Sequence, residues 1–213
     1  MSMNAFACKT KSILSQVIEH HVARRVEFVK NPNCDFTRNR KLSLDSVLKA
    51  ILLLDAGSVD KELLNYFNFD PNTASSSAFT QQRDKIYASV FKSILGEFTQ
   101  EFNHYNTYMG YRLLAVDGSD LHIPHNPADA ETYFQTTPNS KGFNLVHVNA
   151  LYDLINRVYI DGEIQPGRKL HERQALIEMT QNSVLDDKVL LIADRGYESY
   201  NVFAHMMEKG WKF

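Results

Sequence analysis

Arg112-Leu-Leu-Ala-Val-Asp117, followed by Gly118-Ser119, and Val189-Leu-Leu-Ile-Ala-Asp194, followed by Arg195-Gly196-Tyr197, are the stretches on which the reading of this chain turns. Each is an apolar run closed by an acid and then by turn-forming residues. Such a run reads as a buried strand that delivers a carboxylate to a sheet edge. Ligand sites of open α/β sheets gather at the carboxyl ends of the strands. Two such acids on neighbouring parallel strands, about 4.8 Å apart, suit a shared hard cation. The chemistry suggested is metal-assisted cutting or joining of phosphodiesters.

Outward from these runs, the second half of the chain alternates strands and helices. After the strand 112–117 comes a polar loop containing Pro124, Pro127 and Pro138. Alternating apolar residues predict a strand over 144–152, a hairpin turn at Asp153-Leu-Ile-Asn156 and a strand over 157–163. Gln165-Pro-Gly-Arg168 breaks the chain. A helix over 172–181, a strand over 188–193 and a helix over 199–209 follow, and Trp211-Lys-Phe213 reads as the start of a further strand. The order β-β-β-α-β-α resembles that of the ribonuclease H-like fold. That fold sets its first strand beside its fourth, which would place Asp117 and Asp194 side by side.

The first half reads as helical. Apolar positions from Ile13 to Val29 recur at three-to-four spacing over 11–30, and Asn31-Pro32-Asn33 ends that helix. A basic loop covers 35–41. Ser43 is a candidate N-cap for a helix through Leu54, stopped by Gly57. A short helix covers 59–67, Asp70-Pro71-Asn72 is a turn, and Ser75-Ser-Ser77 offers caps to the next helix, before a long one over 87–104. That capped helix carries Gln81, Gln82, Arg83 and Lys85, in the outline of a helix-turn-helix reader. A helical domain with a polar surface helix has the same outline. Arg83 and Lys85 are the candidate DNA contacts, with Arg38, Arg40 and Lys41 as candidate phosphate contacts. Two regions are expected, a helical DNA-binding region over 1–108 and a catalytic domain over 109–213, an α+β or α/β architecture overall.

Charge agrees with that division. Residues 1–49 hold nine Lys/Arg against four acids, a surplus of +5, so the remainder is −7 against a net charge of −2. A basic front suits DNA and an acidic back suits a metal; ordinary surface charge gives the same count. At 44% hydrophobic and 11% aromatic, the composition excludes a disordered chain. Cys8 and Cys34 lack metal-ligand spacing, and no secretory leader or apolar run of about 18 residues is present, which points to a reduced, cytoplasmic setting without a membrane.

Other chemistry is thin. Asp120, three residues after Asp117, is the alternative ligand if the strand register is misread. His122, His125, His147 and His171 form no zinc pattern; His122 and His125 flank Pro124 in a loop, where they either line the site or are plain surface residues. Asp186-Asp187 would cap the start of a strand, and Glu163 and Glu172 would be solvated. No phosphate loop and no Ser/His/Asp ordering stands out.

At these residues the sequence resembles the DDE transposases of bacterial insertion sequences, in the IS-four-like group. Val116-Asp-Gly-Ser119 matches the segment around that family's first catalytic aspartate, and Ile192-Ala-Asp-Arg-Gly-Tyr197 the segment around its second. Asn149-Ala-Leu-Tyr-Asp153 and Ile164-Gln-Pro-Gly167 resemble the stretch between them, and Ser76-Ser-Ala-Phe-Thr-Gln-Gln-Arg83 the helical DNA-binding region before them. The resemblance implies a catalytic pair Asp117 and Asp194 holding Mg²⁺ or Mn²⁺, double-stranded DNA (transposon ends and target) as partner, and a homodimer for the intact protein. The family's third residue is a glutamate in a later Tyr/Arg/Glu/Lys signature, which no glutamate of this chain fits. A truncated, inactive transposase with an exposed apolar edge at 188–193 is therefore expected. A non-catalytic DNA-binding or inhibitory fragment, or another ribonuclease H-like nuclease, are the competing readings.

Overall fold

The structure is a computed structural model that describes residues 3–38, 40–55, 57–101, 106–185 and 188–213. The chain divides into two compact units, Met1–Glu101 and Phe102–Phe213. The expected capping role of Asp186-Asp187 and the end of the long helix beyond residue 101 lie outside the described residues.

The first unit holds α1 (Met3–Ala23), α2 (Leu44–Leu53), α3 (Val59–Tyr66), α4 (Ser76–Arg83) and α5 (Ser89–Gln100). Ser43, Ser58 and Ser75 cap α2, α3 and α4 by accepting the backbone N–H groups of Ser46, Lys61 and Ala78. Each cap satisfies a donor the helix cannot. Val17, Val47, Leu48, Leu63, Phe79 and Val90 fill the core.

Two boundaries differ from the sequence expectation. The helix expected to run to residue 30 stops at Ala23, and a short 3₁₀ turn covers Arg25–Glu27. Beyond it the chain is extended. Val29 bridges Ile86 antiparallel, the Lys30 N–H donates to the Lys85 carbonyl at 2.8 Å and the Tyr87 N–H to the Phe28 carbonyl at 2.9 Å. That pairing also interrupts the second helical stretch, so α5 begins only at Ser89. Helix periodicity cannot see such a tertiary bond. Residues 67–75 separate α3 from α4, a longer link than the roughly three or four residues of a helix-turn-helix. Asn68 and Phe69 take positive φ of 52° and 58° within it.

In the second unit one mixed sheet holds β1 (Arg112–Ile123), β2 (Tyr133–Phe134), β3 (Phe143–Asp153), β4 (Val158–Pro166) and β5 (Val189–Ile192). β1 lies between β3, antiparallel, and β5, parallel; β2 and β4 both pair with β3. α6 (Glu172–Asn182) and α7 (Tyr200–Glu208) bury Leu176, Met179, Val202 and Met206 against Leu114, Val116, Leu151, Val189 and Leu191. The hairpin between β3 and β4 turns on Asp153, whose carboxylate accepts the Ile155 and Asn156 N–H groups and the Arg112 Nε–H at 2.8 Å.

Two expectations are corrected here. β1 does not end at Asp117; it runs six residues further, to Ile123, paired with β3 throughout. The 188–193 strand is not left as a bare edge, because Lys212 pairs with it in parallel, the Leu191 N–H donating to the Lys212 carbonyl and the Lys212 N–H to the Val189 carbonyl.

Candidate active site

Register sets the two aspartates together. β1 and β5 pair from Arg112↔Val189 to Ala115↔Ile192. Two residues on, at the same step of each chain, stand Asp117 and Asp194. Asp117 is thus carried by an interior strand at the point where its parallel neighbour stops pairing, not at a sheet edge. Asp194 follows β5 and caps a 3₁₀ turn, Arg195–Tyr197. The buried set of β1 is Arg112, Leu114 and Val116, and that of β5 is Val189 and Leu191. Asp117 alternates with the buried set of β1 and so belongs to the sheet face opposite α6 and α7, whereas Asp194, beyond the end of β5, lines a cavity with Leu176 of α6 and Val202 and Met206 of α7.

Both carboxylates are exposed. Asp117 Oδ1 accepts the Gly118 N–H at 2.9 Å and Asp194 Oδ1 the Gly196 N–H at 2.6 Å. Each keeps its second oxygen without a hydrogen bond among the described residues. Two oxygen donors on adjacent rigid elements are the donor set a hard divalent cation takes.

Beneath them, on the helix-covered face, sequence reasoning missed a polar cluster. Gly118 does not mark a turn. It sits in mid-strand opposite Asn149, and a Cβ there would collide with His147 Nε2 and Glu172 Oε1. His147, 6% exposed, lies on β3, and its Nδ1 is 2.8 Å from Asp120 Oδ1. An ionised carboxylate only accepts, so Nδ1 carries the hydrogen. His147 Nε2 lies 3.0 Å from Glu172 Oε1 but off the line of a hydrogen bond, so that contact is electrostatic. Glu172, in the first turn of α6, is half-buried and not freely solvated. Asp120, the alternative ligand, turns to His147 on the helix-covered face of β1. One signal of this cluster is present in the sequence, since Gly118, Asp120 and His147 share one parity of the β1–β3 pairing.

Tyr197 ties the cluster to the aspartates. Its ring is buried, 3% exposed, and its hydroxyl donates to Asn149 Oδ1 at 3.4 Å. Burial holds the hydroxyl well above the ordinary tyrosine range, and the nearby carboxylates of Glu172, Asp117 and Asp194 push it further the same way. Asn149 donates in turn to Gln165, which accepts the His171 N–H at 2.7 Å. His122 packs on Phe143 and His125 meets the Lys141 carbonyl, so neither joins the aspartates.

The candidate DNA contacts separate in the first unit. Arg38, Arg40 and Lys85 line one cleft with Gln82. Arg83 lies outside it, 3.4 Å from Asp84, and Lys41 sits over the Phe67 ring at 5.6 Å.

Among the described residues no helix is long and apolar enough to cross a membrane. Residues 108–213 match the family model described as the transposase DDE domain. No curated protein and no solved structure matches the chain.

Proposed function

Residues 108–213 belong to the transposase DDE domain family, and on that premise we propose that the chain serves the metal-dependent cleavage and strand transfer of DNA by an insertion-sequence transposase of the IS-four-like group. The sheet order, with the first strand beside the strand that carries the second aspartate, supports a ribonuclease H-like reading of the second unit. The observation that carries the proposal is the parallel register that sets Asp117 level with Asp194.

Asp117 and Asp194 are the residues that would hold Mg²⁺ or Mn²⁺, each through the oxygen not engaged by a backbone N–H. When bound, the cation supplies the positive charge that makes water or a 3′-hydroxyl an effective nucleophile and stabilises the leaving oxygen. The chain's own residues do the positioning. Gly118 and Gly196 N–H groups fix one oxygen of each carboxylate. The Tyr197 hydroxyl, protonated and bonded to Asn149, holds the 195–197 turn against β3 and adds no further negative charge to the two carboxylates.

The two aspartates leave the site one acid short of the three that the family resemblance implies, so we hold that these 213 residues bind metal and DNA without completing cleavage. The intact protein would act on transposon ends and target DNA as a homodimer. An alternative is a DNA-binding role without cleavage, favoured by the basic cleft of the first unit, where Arg38, Arg40 and Lys85 gather.

Calorimetric titration with Mn²⁺, paired with a plasmid-nicking assay, tests this. Wild type should bind Mn²⁺ and leave the plasmid intact. Asp117→Asn and Asp194→Asn should each weaken binding at least tenfold. Unchanged Mn²⁺ affinity in both variants would sink the metal assignment, and nicking by the wild-type chain would sink the claim of incompleteness.

A further inference from the structure

The loop that follows the first helix is held in a shape that costs energy. Phe36 takes a φ of 54°, a region that side chains with a Cβ rarely adopt. Its surroundings over-determine it. Arg25 Nη1 donates to the carbonyls of Pro32 and Asp35 at 2.8 and 2.5 Å, and the buried Asp35 carboxylate accepts the Asn31 N–H at 2.9 Å. Strained backbone fixed in this way is common where a ligand is held.

The strained turn forms one wall of a cleft of about 340 Å³. That is the lower end of the range of small-ligand pockets, roughly 300–1,000 Å³. Arg38 and Arg40 line it from the loop, Gln82 from the last turn of α4 and Lys85 from the turn just beyond it. No Asp or Glu lines it; the loop's one acid, Asp35, is spent on Asn31. Arg38 and Arg40 have no ion-pair partner among the described residues. Lys85 Nζ donates to Gln82 Oε1 at 3.1 Å and stands 6.0 Å from the centre of the Phe36 ring. Three cations, an amide and an aromatic ring therefore converge where nothing neutralises them.

The concavity selects the ligand. Reading a duplex requires an element that projects into a groove, and these cations line a cleft, Arg38 and Arg40 on its exposed rim and Lys85 half-buried. A recess accepts what projects from its partner. Cations beside an aromatic face are the combination that binds single-stranded nucleic acid, the phosphate to the cations and the base to the ring. We infer that this cleft holds one unpaired nucleotide of DNA, its phosphate among Arg38, Arg40 and Lys85 and its base against Phe36, with the Gln82 amide at the base edge. The inference rests on the reading that the first unit handles DNA, and not on the aspartates.

The test is fluorescence anisotropy of the full chain with a labelled single-stranded oligonucleotide and its blunt duplex, over a salt series in EDTA. Without divalent metal, a failure of the aspartate assignment and a failure of the cleft are separate results. The single strand should bind at least tenfold tighter than the duplex. Phe36→Gly suits the positive φ and so preserves the loop; it should lower single-strand affinity about tenfold at an unchanged melting temperature. Phe36→Tyr should stay within about twofold of wild type. Arg38→Ala with Arg40→Ala should weaken binding and flatten its salt dependence by about 0.7 for each phosphate no longer neutralised. Equal affinity for strand and duplex, or a Phe36→Gly chain that binds single strands like wild type, overturns the proposal.

Discussion

Gly118 and Tyr197 show how single residues set the second unit. Gly118 is a glycine in the middle of a long strand, where the missing side chain would ordinarily weaken pairing. Its place is explained by the His147 ring and the Glu172 carboxylate that close over it. Gly118→Ala should destabilise the chain by roughly 1–3 kcal/mol through overpacking, measured by urea unfolding. Glu172→Ala in the same chain should return part of that loss; a strictly additive double variant would mean that the two positions do not meet. Tyr197 gives a pH signature. Its hydroxyl is held above the ordinary tyrosine range, mainly by burial. An unfolded tyrosine loses its proton near pH ~10, so above about that pH the unfolded chain binds fewer protons than the folded one. The contribution to stability is full below pH ~10 and is lost as pH climbs towards the raised folded value. Wild type should therefore lose more stability between about pH 9 and 11 than Tyr197→Phe, and parallel pH profiles would contradict the placement of this ring.

Among the elements, the β3–β4 hairpin is the most heavily determined. Arg112 and Asp153 form an ion pair with both side chains buried, 1% and 0% exposed, and Asp153 also receives two turn N–H groups. Removing one partner of a buried pair strands the other, at about 3–5 kcal/mol, so Asp153→Ala should lower the unfolding free energy by that order. In the same turn Arg157 holds a φ of 56°. Arg157→Gly should raise stability by roughly 1 kcal/mol, since glycine meets no Cβ penalty there; a lower melting temperature would refute it. The sequence showed this hairpin clearly, because period-two alternation on both sides of Asp153-Leu-Ile-Asn156 needs only local information. It showed α2 and α4 equally well through their serine caps. It hid the far half of β1, where Gly118, Ser119 and Asp120 look like a turn until β3 is laid beside them. It also hid the break at Phe28–Lys30, which exists only because residues 85–87 come back to pair. Within the candidate site, Asp117 and Asp194 stood out from their apolar runs, whereas His147 and Glu172 did not, since their meeting depends on α6 crossing β3.

For the whole molecule, charge divides less sharply than the first 49 residues suggest. Met1–Glu101 holds 13 Lys/Arg against 11 acids, and Phe102–Phe213 holds 10 against 14. Net charges of +2 and −4 are too small to make either unit a general polyanion or polycation binder. Recognition must therefore come from local gatherings, the cations at 38, 40 and 85 and the acids at 117 and 194. Lys212 bears on a different property of the molecule. Its two hydrogen bonds to β5 place that four-residue strand between two parallel neighbours, with β1 on its other side. The Leu191 amide, which would have faced solvent on a peripheral strand, is closed off by residues 211–213. In deuterated buffer it should exchange on the slow timescale of the β1 amides, and removing those three residues should release it to fast exchange while β1 remains protected.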